Sequence, residues 1–199
     1  MNWRFAIVVL LLPATVRAES SLNPNLARVL SAPAHLNAVF GAAGRSTTWI
    51  RHGCQSTTYS KPKLTYVWQA PRFDLAGDPI AGEWGERLTA EGCGLKRTIN
   101  VRTVVEGPNV LRTGVLAPGL THADLTLQLE VSREVFQSAL AKAPGCRDAF
   151  VDDTRYEGRA GSSSKETWTV IACGKTLSIA VELIPDATGF AVVAHLPAG

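Results

Sequence analysis

The chain has 199 residues, with 20 lysines and arginines against 17 acids and four cysteines, a length that holds one single-core domain or two small lobes. The formal charge of +3 gives no support for a nucleic-acid partner: Arg4 and Arg17 lie in a segment expected to be removed, leaving eighteen basic residues against seventeen acidic ones. No cofactor motif is present, so none is expected.

Residues 1–18, MNWRFAIVVLLLPATVRA, have the layout of a secretory signal peptide. Arg4 precedes an apolar run from Phe5 to Leu12, Pro13 breaks it, and Val16 and Ala18 are small. The run is too short to span a bilayer. Cleavage after Ala18 is expected to release a periplasmic or secreted chain with no membrane span. Its expected parts are an N-terminal helical segment over 19–45, a first β unit and linker over 46–123, and a helix with a second β unit over 124–199. They form one compact domain or two tightly packed lobes.

Asn23 is placed to cap a helix with Pro24 in its first turn, and Leu26, Val29 and Leu30 follow at helical spacing until Pro33 and Gly41 interrupt it. From Thr47 the signals are of strand type, first in TTWIRHG and then in LTYVWQA, where Leu64, Tyr66 and Trp68 alternate with Thr65, Val67 and Gln69. FDLAGDPIAG, Phe73 to Gly82, has the Asp, Gly and Pro content of a wide hairpin loop.

The segments GERLTAEGCGLKRTINVRTV and KETWTVIACGKTLSIAVELI align without a gap and match at Glu86/Glu166, Thr89/Thr169, Cys93/Cys173, Gly94/Gly174, Ile99/Ile179 and Val101/Val181. In the second copy Glu166, Trp168, Val170 and Ala172 share a strand face, as do Leu177, Ile179, Val181 and Leu183 after the Cys-Gly bend. Glycine permits the positive φ of that bend. EGPN and PDATG then turn the chain into third strands, VLRTGV and FAVVAH. Between the copies, Asp124 is a candidate cap and Pro144-Gly145 a stop for a helix whose firmest part is Ser132 to Lys142. A strand through FVDDTRY and a polar loop over GRAGSSSK complete the chain. The expected fold is α+β, with two related three-stranded antiparallel units joined by a linker and helix.

Cys54, Cys93, Cys146 and Cys173 in an exported chain read as two disulfides. Three pairings are open, and the repeat favours Cys54 with Cys93 and Cys146 with Cys173. His52, next but one to Cys54, is the only hint of zinc. There is no C-x-x-C or H-x-x-x-H spacing, and no metal is expected.

FDLAGDPIAGEWGE, GCGLKRTINVRTV, LAPGLTHADLTLQ, GCRDAFVDDTRY and KETWTVIACGKTLSIAVELIPDATG, in this order, resemble a group of uncharacterised exported proteins of Gram-negative bacteria. In that group a GCG strand pair is followed by a P-G-x-T-x-A-D-P-x-L-Q linker and an E-x-W-T-x-x-x-C-G repeat. The resemblance runs from Phe73 to the C-terminus, with Leu125 in place of the expected proline. It implies export and architecture and carries over no functional residue.

Candidate binding residues are Glu86 and Glu166, two carboxylates pointing to the buried face, and Asp153 with Arg155 in VDDTRY. The alternative roles are local ion pairing for the acids and a solubilising edge strand for VDDTRY. Hydrolase signatures are missing: there is no G-x-S-x-G, and His35, His52, His122 and His195 are scattered. The reading is a non-enzymatic binding or interaction module for a small polar ligand or another envelope protein. The alternatives are a small hydrolase or metal-assisted enzyme using the repeated acids, and an envelope structural factor or toxin-neutralising partner.

Overall fold

The computed structural model describes residues 22–54, 56–187 and 189–195. The signal-peptide segment 1–18 and its cleavage point lie outside them. The described chain is α+β and β-rich, with helices on one face of each of two antiparallel sheets.

Three helices come first: α1 (Pro24–Ser31), α2 (Pro33–Gly44) and α3 (Thr47–Arg51). Asn23 caps α1 as its sequence suggests, its Oδ1 accepting from the amides of Asn25 at 2.9 Å and Leu26 at 3.3 Å. The third helix replaces the strand expected at TTWIRHG. Ser46 caps it by accepting from the Trp49 amide, and Trp49, 2% exposed, packs with Val39, Ala42 and Ala43 of α2. A cap and a buried indole outweigh the weak strand preference of two threonines and an isoleucine.

The first sheet contains β1 (Thr58–Tyr59), β2 (Lys63–Phe73), β3 (Pro79–Gly92), β4 (Leu95–Gly107) and β5 (Val110–Val115). The second contains β6 (Ala149–Ala160), β7 (Ser163–Ala172), β8 (Lys175–Asp186) and β9 (Gly189–His195), in chain order. Five and four strands thus replace the expected three and three. The outer edge of β3 takes β1 at Ala90–Glu91 and β2 from Arg87 to Pro79, and β7 takes β6. The expected loop at GRAGSSSK is also shorter than anticipated, reducing to a Gly161-Ser162 turn. Ser163 and Ser164 are buried, and the Ser163 hydroxyl bonds Ala160 O and Glu182 Oε1.

The β3–β4 and β7–β8 hairpins both turn on Cys-Gly. Cys93 and Gly94 have φ of 52° and 73°, and Cys173 and Gly174 have 48° and 78°. Positive φ at both central residues is the type I′ pattern, whose twist matches that of the flanking strands. Register follows from the turn, so Glu86 lies opposite Val101 and Glu166 opposite Val181. Residues 86, 88 and 90, and 166, 168, 170 and 172, are buried as alternation requires.

Helix α4 (Leu125–Lys142) covers the second sheet, seven residues longer at its start than its firmest sequence signal. Asp124 supplies the cap, its Oδ1 accepting from the Leu127 amide at 2.9 Å. Val131, Val135 and Ala139 are fully buried against Trp168, Ile179 and Leu183, while α2 and α3 cover Leu88, Ile99 and Val101 of the first sheet. Among the described residues, no helix is long and apolar enough to cross a membrane.

Cys146 and Cys173 form a disulfide, tying the chain after α4 to the β7–β8 turn. Closing a 27-residue separation restricts the unfolded chain by about 3.5 kcal/mol in the loop-entropy account. The second expected bridge is not closed. Cys54 and Cys93 are free thiols, although the two side chains are hydrogen-bonded to each other. Burial first, and then that hydrogen bond, pushes the Cys54 thiol up to about 11.

Candidate functional site: a cleft between the first sheet and the linker

The expected site residues separate into different roles. Glu86 and Glu166 are 1% and 2% exposed. Among the described residues, neither forms the lysine or arginine pair considered for a strand-end acid. Glu86 Oε2 takes the Nε2–H of His35 on α2 at 2.6 Å and the indole N–H of Trp84 at 3.1 Å. Glu166 Oε2 takes the Thr121 hydroxyl at 2.8 Å and the Trp168 indole N–H at 2.8 Å, and its Oε1 takes the His122 amide at 2.6 Å. The tryptophans occupy different places in the two copies, two residues before Glu86 and two after Glu166. Alternation puts both on the carboxylate's own face, so the same indole bond forms from opposite sides. Each glutamate therefore fastens a segment lying across its sheet: α2 for Glu86, the approach to α4 for Glu166.

Asp153 and Arg155 have different surroundings. Arg155 is exposed and pairs with Glu157 at 2.7 Å. Asp153 is half-buried, and burial raises its carboxyl above the usual 3.8 despite the opposing charge of Arg97. The buried acid is their neighbour Asp152, bonded by His52 Nε2 at 2.9 Å and by an Arg97 terminal nitrogen at 2.8 Å. It joins α3 and β4 to β6.

The linker runs in close contact with both sheets. Gly119 N donates to Thr98 O at 2.8 Å, and Leu120 N donates to Thr154 O at 2.7 Å. Gly119 has φ of 87°, and a Cβ there would come within 2.1 Å of Thr154 O, so only glycine fits. Three side chains satisfy backbone groups of this irregular segment. Asn100 Nδ2 donates to the carbonyls of Ala117 at 2.8 Å and Gly119 at 3.0 Å. Gln128 accepts from the Ala117 amide at 3.0 Å and donates to Ala123 O at 2.9 Å. Glu166 holds Thr121 and His122. These partners supply hydrogen bonds that a backbone outside helix and strand lacks.

Between this fixed linker and strands β2–β4 lies a cleft of about 350 Å³. Tyr66 and Trp68 form one wall, their ring centroids 5.1 Å apart. Thr121, His122 and Asp124 line the linker side, with Arg87 and Asn100 also lining the cleft. The strict alternation expected for LTYVWQA is interrupted by register shifts between Leu64 and Tyr66 and between Val67 and Gln69. The second leaves Trp68 as the extra residue, and bulges of this kind re-aim side chains. The indole then lies against Gly85, where a Cβ would approach Trp68 to 2.9 Å.

Arg87 donates through Nε to Asn100 Oδ1 at 2.9 Å, the one hydrogen bond of its side chain among the described residues. Burial lowers the guanidinium's pKa. The Trp68 indole N–H is buried without a partner. Trp49 also has an unpaired indole N–H, but it belongs to the α2–α3 core. Among the described residues, no group of three or more His, Cys, Asp or Glu is arranged to hold a metal ion.

Arg87 and Asn100 are residues that sequence reasoning did not name, whereas Trp68 entered it as a residue of an alternating strand and His35 as one of four scattered histidines. Arg87 and Asn100 are paired across β3 and β4, a position that follows from the Cys93-Gly94 turn centre. His35 has no local signal, because its partner lies 51 residues away. Comparison with protein families, curated proteins and solved structures returns no match.

Proposed function

We propose that this chain is an exported, non-enzymatic binding module that holds a small polar ligand in the cleft between β2–β4 and the linker. The observation that carries the reading is Trp68, whose unpaired indole N–H is buried in a wall that also contains Tyr66. A cleft with aromatic walls and a few fixed polar groups has the makeup of a ligand site. The Glu166, Asn100 and Gln128 bonds support pre-organisation, which lowers the ordering cost of binding. Export rests on the leader-like residues 1–18 and agrees with the Cys146–Cys173 disulfide. The paired Cys-Gly hairpins, each with a buried glutamate at the same register, support an internal duplication.

Native mass spectrometry of chain recovered from the extracytoplasmic fraction tests this reading. A small-molecule adduct is expected on a protein beginning at Glu19, with its loss in Trp68→Ala. Recovery of ligand-free chain alone, or an adduct that survives Trp68→Ala, counts against it.

A second reading has a specific observation behind it. The His35–Glu86 pair has the carboxylate–imidazole arrangement of a general base, and His35 lines a separate cavity of about 350 Å³ beside Val29, Pro79 and Leu111. Both side chains are 1% exposed, which favours a structural role for the pair. Turnover of an ester or amide substrate that disappears in His35→Gln, with the fold retained, would establish the enzymatic reading.

A further inference from the structure

We infer that the cleft takes a small ligand in which a carboxylate is joined to a flat apolar ring, the carboxylate on Arg87 and the ring against Tyr66 and Trp68. The inference rests on the cleft being the binding site and adds the chemistry of its occupant.

Arg87 carries the first part. Its Nε is fixed by Asn100, which orients the planar guanidinium, and the terminal nitrogens remain as donors. A partly desolvated guanidinium without a carboxylate partner among the described residues is poorly compensated by the protein alone. The planar fork matches a carboxylate in two parallel bonds, a geometry that a point charge does not reproduce. Trp68, whose indole N–H is buried without a partner, lines the same cleft.

Two acids also line the cleft, and each has one oxygen bonded within the protein. Glu86 Oε2 is occupied by His35 and Trp84, and Asp124 Oδ1 by the Leu127 amide. Arg87 is the lining group whose charged donors are left without an acidic partner among the described residues, and an acceptor-rich, negatively charged head is what those donors take. Tyr66, 55% exposed, and the indole of Trp68 offer ring surface, and aromatic pairs favour offset or tilted contact. The volume, about 350 Å³, admits a single-ring compound.

Isothermal titration of the mature chain with benzoate, benzamide, acetate and phenyl phosphate tests the assignment. Benzoate is expected to bind, with benzamide and acetate each at least about tenfold weaker, since each lacks the charge or the ring. Phenyl phosphate separates a carboxylate-shaped site from a general oxyanion site, and binding tighter than benzoate overturns the carboxylate assignment. Arg87→Gln is expected to weaken benzoate about ten- to a hundredfold. Arg87→Lys, which keeps the charge without the fork, is expected to recover only part of the loss. Unfolding curves establish that each variant is folded, and Arg87→Lys alone decides the matter if Arg87→Gln is not.

Equal binding of benzoate and benzamide, no effect of either Arg87 variant, or no benzoate binding overturns the inference. A native adduct that is still lost in Trp68→Ala would then leave the cleft as a ligand site of different chemistry. Failure of that adduct test as well would remove the cleft reading itself.

Discussion

Replacing Glu166 by glutamine changes little volume but reverses the hydrogen-bonding character of one terminal atom. All three observed partners of the carboxylate are donors: the Thr121 hydroxyl, the His122 amide and the Trp168 indole. An amide oriented with its oxygen at the Oε2 position keeps Thr121 and Trp168, each as a weaker neutral bond. It then sets an NH₂ group against the His122 N–H. Loss of one charge-assisted bond costs about 1.5–3 kcal/mol, and weakening two others adds about 1–2 kcal/mol. The expected destabilisation is about 2.5–5 kcal/mol, a large share of the roughly 5–15 kcal/mol that stabilises a domain. Urea unfolding of wild-type and Glu166→Gln proteins, with equal slopes, measures it. A change below about 1 kcal/mol would refute the assignment of Glu166 as the fastening of the linker.

Three further outcomes are expected. Because burial raises the Asp153 carboxyl above its ordinary 3.8, the folded state binds more protons than the unfolded state between those two values. Stability therefore falls as pH rises through that interval; Asp153→Asn should remove this slope, as unfolding measured across acidic to neutral pH will show. Gly119→Ala should destabilise by at least about 3 kcal/mol, combining left-handed backbone strain with a clash against Thr154, and urea unfolding reads the cost. Oxidised glutathione should close Cys54 to Cys93, faster as pH rises because the Cys54 thiol is pushed up to about 11. Peptide mapping would contradict this by finding Cys54 joined to Cys173.

The Cys-Gly turns carried much of the readable information. Once a two-residue turn is placed at Cys93-Gly94, pairing outward puts Leu88 against Ile99, Arg87 against Asn100 and Glu86 against Val101. The second turn does the same for Trp168 and Ile179. Helix caps at Asn23 and Asp124 were equally legible, because a single side chain meets neighbouring amides. These are local interactions, within reach of sequence pattern.

Long-range features were not visible in that way. TTWIRHG became a helix because Trp49 docks against α2, a contact that strand propensity does not encode. The bulges of β2 depend on its partner β3, so alternation alone misplaced Trp68. Burial of Glu86 and Glu166 followed from parity, whereas His35, Thr121 and His122 became their partners only through the packing of segments distant in sequence. VDDTRY drew notice for Asp153 and Arg155, but distant His52 and Arg97 made Asp152 the buried acid. The cleft is assembled from β2, β3, β4, the linker and α4, with no contiguous motif to mark it.

The binding account is tested most directly by ¹⁵N NMR of the chain from Glu19 titrated with benzoate, following the tryptophan indole N–H resonances. The account predicts a large shift of the Trp68 indole, accompanied by backbone shifts at Gly85, Asn100 and Thr121, with Trp49 and Trp168 little affected. Shifts centred on Val29, His35 and Leu111, with Trp68 unchanged, would contradict it and move the site to the cavity beside the His35–Glu86 pair.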